Sequence, residues 1–289
     1  MIPVIEKIDF ENECFPYLLK QIGGAPKEIF YMGSLPLPEE PAIAIVGTRK
    51  ATREGLEFAR SIAFELARAG FTIISGLALG IDGAAHKGAL EAGAKTFAIL
   101  ANGLHAIYPP YHENLAHQIL NAGGGLISEY PTGTPSLPHQ FLERNRIIAG
   151  LSIATLLIEA PIRSGALVTA KHAIEAGREV FVVPGSVRHR NFEGAHMLIR
   201  NGARLVRNAK DILDDLGYES GASARTDFNF NSDEERLIFE TIKNASESLS
   251  VDTLVEITKL EPHVVLQAMA LLIISGHARE ADNKFSVVS

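Results

Sequence analysis

Three stretches of this sequence place side chains suited to holding a polyanion where an apolar run gives way to a turn. Residues 47–50, Gly47-Thr48-Arg49-Lys50, follow the apolar run 42–46. Glycine permits close approach to the backbone and the threonine hydroxyl can donate a hydrogen bond. The planar fork of Arg49 matches phosphate geometry better than an ammonium does. Residues 75–83 (SGLALGIDG) follow a second apolar run as a glycine-punctuated loop holding Ser75, Gly76 and Gly80, with Asp82 as a candidate helix N-cap. Any one glycine reads most simply as a turn former. The two loops together, with Arg49 in the first, read as a rim that accepts an anion.

The third stretch, residues 138–152, sets Phe141 beside Arg144, Asn145 and Arg146, with His139 just ahead. An aromatic face can stack on a base, at about 1–3 kcal/mol per base, while Arg144 or Arg146 meets a phosphate. The competing reading is that Phe141 fills the core and the arginines pair with Glu129, Glu143 or Glu159. The residues themselves leave both readings open.

The elements that would position these groups are legible between residues 41 and 217. Near-continuous apolar runs at 42–46, 71–75, 96–100, 125–129, 153–159, 179–183 and 204–206 predict strands covered on both faces. Helical patterns at 53–68, 83–92, 113–121 and 165–176 alternate with them, several ending in a glycine where a left-handed residue is wanted. Such alternation implies right-handed crossovers and a Rossmann-like, doubly wound, mostly parallel α/β sheet. In that fold ligands bind at the carboxyl ends of the strands, where both glycine loops fall. Residues 1–40, broken by glycines and prolines, read as an irregular lead-in; the small, polar residues 218–231 read as a linker; residues 232–289 form a compact tail.

Composition sets bounds. The 289 residues carry a net charge of −7, which argues against a histone-like binder but leaves room for a local basic cleft. One cysteine, Cys14, excludes an internal disulfide and a cysteine-based metal site, and fits a reducing cytoplasm. The N-terminus lacks the pattern of a signal peptide, and no run reaches the roughly 18–20 apolar residues of a membrane span, so no membrane insertion is expected.

Familiar chemistries are poorly served. The first turn lacks G-x-G-x-x-G and the second strand ends in Ser75-Gly76 rather than an acid, which disfavours NAD; no Walker A motif occurs. There is no G-x-S-x-G and no H-E-x-x-H. His112 and His117, five apart, read as part of a solvated helix face, and His86 as a structural hydrogen-bonding residue. No catalytic residue, cofactor or metal ligand is therefore assigned.

Residues 42–49 (AIAIVGTR), 75–86 (SGLALGIDGAAH), 128–131 (SEYP), 144–152 (RNRIIAGLS) and 183–185 (VPG), with Glu159-Ala160, Ser164-Gly165 and Thr169-Ala170, closely resemble the bacterial DNA-processing protein A (DprA, or Smf) family over residues 14–217. The resemblance implies a homodimer without catalytic activity. Such a protein would bind and protect single-stranded DNA entering during natural transformation and help load the RecA recombinase onto it. It implies that Gly47, Thr48 and Arg49 meet a DNA phosphate and that Phe141 stacks on a base. Where the family often has a basic residue three positions before that aromatic, this chain has Pro138, leaving His139 or Arg144 to compensate. A more distant likeness links the domain to nucleotide hydrolases that release a base from a nucleoside monophosphate. Those use P-G-G-x-G-T-x-x-E, whereas residues 164–170 here supply no glutamate after Thr169.

In the tail, helices are predicted at 233–244, 251–258 and 262–275, followed by Gly276 and a two-stranded wing ending at 285–288. Ser232 and Glu235 make a capping-box pattern, and Pro262 sits at a favoured first helical position. This resembles a winged helix. Residues 228–289 hold ten acidic and five basic residues, and the stretch 262–270 has no Lys or Arg. A protein contact is therefore expected of it rather than duplex DNA.

Overall fold

The computed structural model describes residues 4–218, 232–243, 249–274, 278–281 and 284–287. The chain forms two compact units, Met1–Ala224 and Arg225–Ser289. The first is built in chain order from β1 (Glu6–Asp9), α1 (Tyr17–Lys20), β2 (Glu28–Gly33), β3 (Ala42–Gly47), α2 (Arg53–Arg68), β4 (Thr72–Ser75), α3 (Ile81–Glu91), β5 (Thr96–Leu100), α4 (Glu113–Asn121) and β6 (Gly125–Ser128). It continues through α5 (Pro138–Gly150), β7 (Ala154–Ile158), α6 (Gly165–Glu175), β8 (Glu179–Val182), α7 (Glu193–Arg200), β9 (Arg204–Leu205) and α8 (Ala209–Asp215).

Nine strands make one sheet in the order β1-β2-β6-β5-β4-β3-β7-β8-β9, parallel from β6 to β9. From β3 the chain winds outward through β4, β5 and β6, then returns to β7 on the other side of β3. The crevice between the carboxyl ends of β3 and β7 is thus the switch point at which α/β folds hold ligands. Alternation along β3 sends Ala42, Ala44 and Val46 to one core layer and Ile43 and Ile45 to the other. The first layer packs against α5, α6 and α7, the second against α2, α3 and α8. This is the expected doubly wound architecture.

Local chemistry sets α2. Thr52 accepts a hydrogen bond from the Gly55 N–H at 3.0 Å, Glu54 and Arg68 lie at the ends whose dipole each complements, and Ala59, Ile62, Ala63 and Leu66 form the buried stripe. The start of α3 differs from the sequence reading. Gly80, not Asp82, is its N-cap, and the Asp82 carboxylate instead accepts the Gly76 N–H at 3.1 Å.

The lead-in is not irregular throughout. β1 and β2 pair antiparallel, and β2 pairs antiparallel with β6, setting Phe30 opposite Ser128 and Tyr31 opposite Ile127. Phe15, Leu19 and Ile29 enter the core there. The glycines and prolines that flank these strands hid them, because their partner edge lies far along the chain.

The second unit is described by itself. Helices α9 (Asp233–Lys243), α10 (Val251–Thr258) and α11 (Pro262–Ile274) join the antiparallel pair β10 (Ala278–Ala281) and β11 (Lys284–Val287) around Ile238, Phe239, Leu254, Val265, Met269 and Leu272. Ser232 accepts the Glu235 N–H at 3.2 Å, as its capping pattern predicts. Gly276 and, apart from Tyr218, the linker read at 218–231 lie outside the described residues. No described helix is long and apolar enough to cross a membrane.

Candidate nucleic-acid interface

The switch-point crevice opens into a cleft of about 620 Å³ whose lining includes Gly47, Thr48, Arg49, Lys50, Asp82, Phe141, Arg144, Asn145, Arg163, Ser164 and Gly165. Its lining carries four cations and one acid, Asp82. A molecule with an overall negative charge thus concentrates positive charge at the place where the fold presents ligands.

The floor is close-packed backbone. A Cβ on Gly47 would stand 2.0 Å from the Ile158 carbonyl oxygen, so a glycine is required where β3 leaves the sheet. The Thr48 N–H donates to the Glu159 carbonyl at 2.8 Å, and the Thr48 hydroxyl accepts the Lys50 N–H at 3.2 Å. This turn holds Arg49 and Lys50 out at the surface. Glu159, 1% exposed and at φ 49°, braces the turn from below. Its carboxylate accepts the Thr52 N–H at 3.0 Å, the Thr52 hydroxyl and the Asn191 amide at 2.7 Å.

Phe141, half-buried near the start of α5, faces this turn. Arg49 lies over its ring with the guanidinium carbon 4.9 Å from the centroid, and Tyr108 meets it edge-on at 5.5 Å. Pro138 opens α5 at the position where a missing N–H costs nothing, and the Gln140 side chain accepts the Leu137 N–H at 2.6 Å. Asn145 donates to the Gly165 carbonyl at 3.0 Å, tying α5 to α6, whose N-terminus opens on the cleft with Ser164 as its cap.

The two arginines that follow Phe141 have different surroundings. Arg144 is 4% exposed; it donates to the Gly76 carbonyl at 2.8 Å, to the Ile99 carbonyl and to Asn145 Oδ1 at 3.3 Å. Burial pulls its guanidinium down to about 10, against the opposing charge of Asp82, so it stays a cation at neutral pH. Burial also pushes the Asp82 carboxyl up, opposed by Arg144 and by the N–H groups of Ala78 and Gly76. A Cβ on Gly76 would stand 2.7 Å from both Arg144 Nη2 and Asp82 Oδ2, so the glycine makes room for this pair. Arg146 lies outside the cleft lining, bonded to Glu129 and to the Gly24 carbonyl at 2.9 Å. That is the ion pairing weighed above as the competing reading.

Of the other expected residues, Ser75 is buried and donates to the Ile45 carbonyl at 2.6 Å. Gly76 and Gly80 are not part of the cleft lining, and neither is the exposed His139. His86 donates from Nδ1 to Thr96 Oγ1 at 2.8 Å, because that hydroxyl already donates to Ile73. His112 is not solvated. It is 5% exposed and bonds through Nδ1 to the Leu77 carbonyl at 2.8 Å, while His117 is exposed.

Arg163 and Tyr108 also line the cleft without having been singled out in the sequence. Arg163 had a usable signal, since it follows β7 at a strand's carboxyl end just as Arg49 follows β3. Tyr108 had none; it reaches Phe141 through the fold of a loop.

Comparison with known proteins follows the same lines. Residues 6–217 match the family model for DNA recombination-mediator protein A. The chain is 43% identical over 211 residues to Protein Smf of Escherichia coli, a match covering 73% of this chain and 56% of that protein, so it spans little more than half of that relative's length. The solved structure of DNA processing protein A from Streptococcus pneumoniae superposes with a TM-score of 0.69 at 38% identity, covering 73% of this chain and 74% of the other. That of DNA processing protein A from Helicobacter pylori, described for its single-stranded DNA binding mode, superposes at 0.65 with 28% identity, covering 73% and 95%. Family model, sequence identity and structural superposition agree: the chain belongs to the DNA recombination-mediator protein A (DprA/Smf) family.

Proposed function

We propose that this protein binds single-stranded DNA in the cleft between the carboxyl ends of β3 and β7, without turning it over, and serves DNA processing during transformation. The observation that carries the reading is the juxtaposition at the switch point of Arg49, Lys50 and Arg163 with the half-buried ring of Phe141. The Thr48 hydroxyl and the N-terminus of α6 supply donors, and Arg49 supplies the charge that follows a phosphate into the cleft. Phe141 offers a π-face that tolerates any base, so recognition follows the backbone and stacking rather than sequence. The Helicobacter pylori relative, described as binding single-stranded DNA, supports the assignment.

Protection of the strand, its delivery to RecA, homodimer formation and a cytoplasmic setting belong to the same reading. Two protomers would engage a longer stretch and raise avidity. The second unit fits a winged helix that contacts protein, since α11 carries no cation toward a duplex. Among the described residues that line the cleft, the base-releasing alternative finds no free acid. Asp82 faces Gly76 and Arg144, and Glu159 is held by Thr52 and Asn191.

The test is a salt titration of oligothymidylate binding. Two or three neutralised phosphates per protomer give a slope of about −1.4 to −2.1, and Arg49→Ala removes about 0.7 of it. Equal affinity and slope for wild type and Arg49→Ala would take Arg49, and with it this reading, out of the cleft.

A further inference from the structure

The loop that follows β8, residues 183–190, was read in the sequence only as part of the VPG motif and lies outside the cleft lining. Between Pro184 and Phe192 it carries Arg188, His189 and Arg190 and no acidic residue; the nearest acid along the chain is Glu193. All three basic side chains are exposed, and among the described residues neither Arg188 nor Arg190 has an ion pair. Val187 beside them is 84% exposed, an apolar group presented to solvent by a short, tight segment.

The segment is anchored as a platform. The Phe192 ring packs against Gly185, where a Cβ would stand 2.2 Å from it, and His196 bonds to the Gly185 carbonyl at 3.2 Å. The His189 N–H reaches the Ser186 carbonyl at 3.0 Å, and His189 Nδ1 accepts the Asn191 N–H at 3.2 Å, leaving Nε2 to donate outward. Asn191 then joins the platform to the cleft: its amide donates to the Lys50 carbonyl at 3.1 Å and to the Glu159 carboxylate at 2.7 Å. The loop is therefore fixed to the turn that presents Arg49 and Lys50.

Its position in the sheet gives it a direction. The carboxyl ends of β3, β7 and β8 follow one another across the sheet, carrying Arg49 and Lys50, then Arg163, then Arg188 and Arg190. At about 5 Å per strand the row runs roughly 10 Å past β3, on the side away from β4.

We propose that residues 187–190 form a second contact site for the sugar–phosphate backbone of the same single strand, beyond the central cleft. Arg188 and Arg190 meet successive phosphates, and Val187 packs against a sugar or base. This rests on the reading that the central cleft holds single-stranded DNA, and it fixes the side on which the strand leaves.

Fluorescence anisotropy of wild type, Arg188→Ala/Arg190→Ala and Arg49→Ala separates the two claims, with oligothymidylates of about 5 and about 20 nucleotides spanning the usual range of site sizes. In the double variant the ratio of wild-type to variant affinity should rise with probe length. On the long probe the salt slope should be less steep by about 1.4, two phosphates at roughly 0.7 each. Equal losses on both probes, or an unchanged slope on the long one while Arg49→Ala still weakens binding, would overturn the second site and leave the central cleft standing. No effect of Arg49→Ala on either probe would overturn both. Both arginines are exposed, so an unchanged unfolding midpoint in the double variant shows that the fold is intact.

Discussion

Replacing Arg144 with alanine should cost this protein stability rather than simply weaken its grip on DNA. The guanidinium is 4% exposed, bonded to the carbonyls of Gly76 and Ile99, and offsets the charge of the buried Asp82. Its removal takes the guanidinium from two buried carbonyls and the opposing charge from the buried Asp82, and each buried polar group left unsatisfied costs about 1–3 kcal/mol. Against a total stability of about 5–15 kcal/mol, that is a large fraction. The chain has no tryptophan, so the measurement is urea denaturation followed by far-UV circular dichroism. Two further results should accompany the loss. Arg144→Met/Asp82→Asn, which strands no charge, should recover much of the deficit. The deficit of Arg144→Ala should also shrink as pH falls, because the orphaned Asp82 carboxyl, already pushed up by burial, takes a proton and no longer has to be buried as an anion. An Arg144→Ala protein with a wild-type urea midpoint and lost DNA affinity would refute the argument and make Arg144 a direct phosphate ligand.

Three other outcomes are expected. Phe141→Ala should weaken oligothymidylate binding by about 1–3 kcal/mol with little change in melting temperature, since the ring is half-buried; a large fall in melting temperature would make it a core residue instead. Burial, then the charges of His112 and Arg144, hold the His86 imidazole down at about 3. The unfolded chain protonates it below about 6.5 while the native state does not, so stability falls as pH drops from about 6.5 toward 3, by about 2 kcal/mol at pH 5. His86→Gln should lack that component, and identical pH dependence in urea titrations of the two proteins would count against it. Arg146→Ala should lose about 1 kcal/mol of stability with its Glu129 pair and leave the salt slope of binding unchanged; a slope reduced by about 0.7 would return Arg146 to the DNA path.

The parallel sheet was legible because its strands are buried on both faces and so spell themselves as unbroken apolar runs such as 42–46 and 96–100. Part of the candidate site followed from that: residues 47–50 fall at a strand's carboxyl end and line the cleft, whereas the loop 75–83 read beside them gives the lining Ala78 and Asp82 but not Ser75, Gly76 or Gly80. What could not be read depends on partners distant in sequence. β2 is a strand because β6 offers it an edge. Arg144 and Arg146 stand two residues apart and look alike in the sequence, yet helix geometry turns one into the core and the other toward Glu129. Asp82 resembles an N-cap by type and position, but its carboxylate turns back to the Gly76 N–H, where the charge of the buried Arg144 guanidinium favours it.

The antiparallel pair β1–β2 also closes a hazard. A wide parallel sheet ends in a row of unsatisfied amides and carbonyls on which a neighbouring molecule could propagate. On the β6 side the exposed margin is instead β1, a four-residue strand reading Glu6-Lys7-Ile8-Asp9, whose charges discourage a stranger from zipping alongside. Deleting the first 34 residues would lay bare β6, whose four residues are all buried. Such a truncation should precipitate or form fibrils at concentrations where the whole chain stays dispersed.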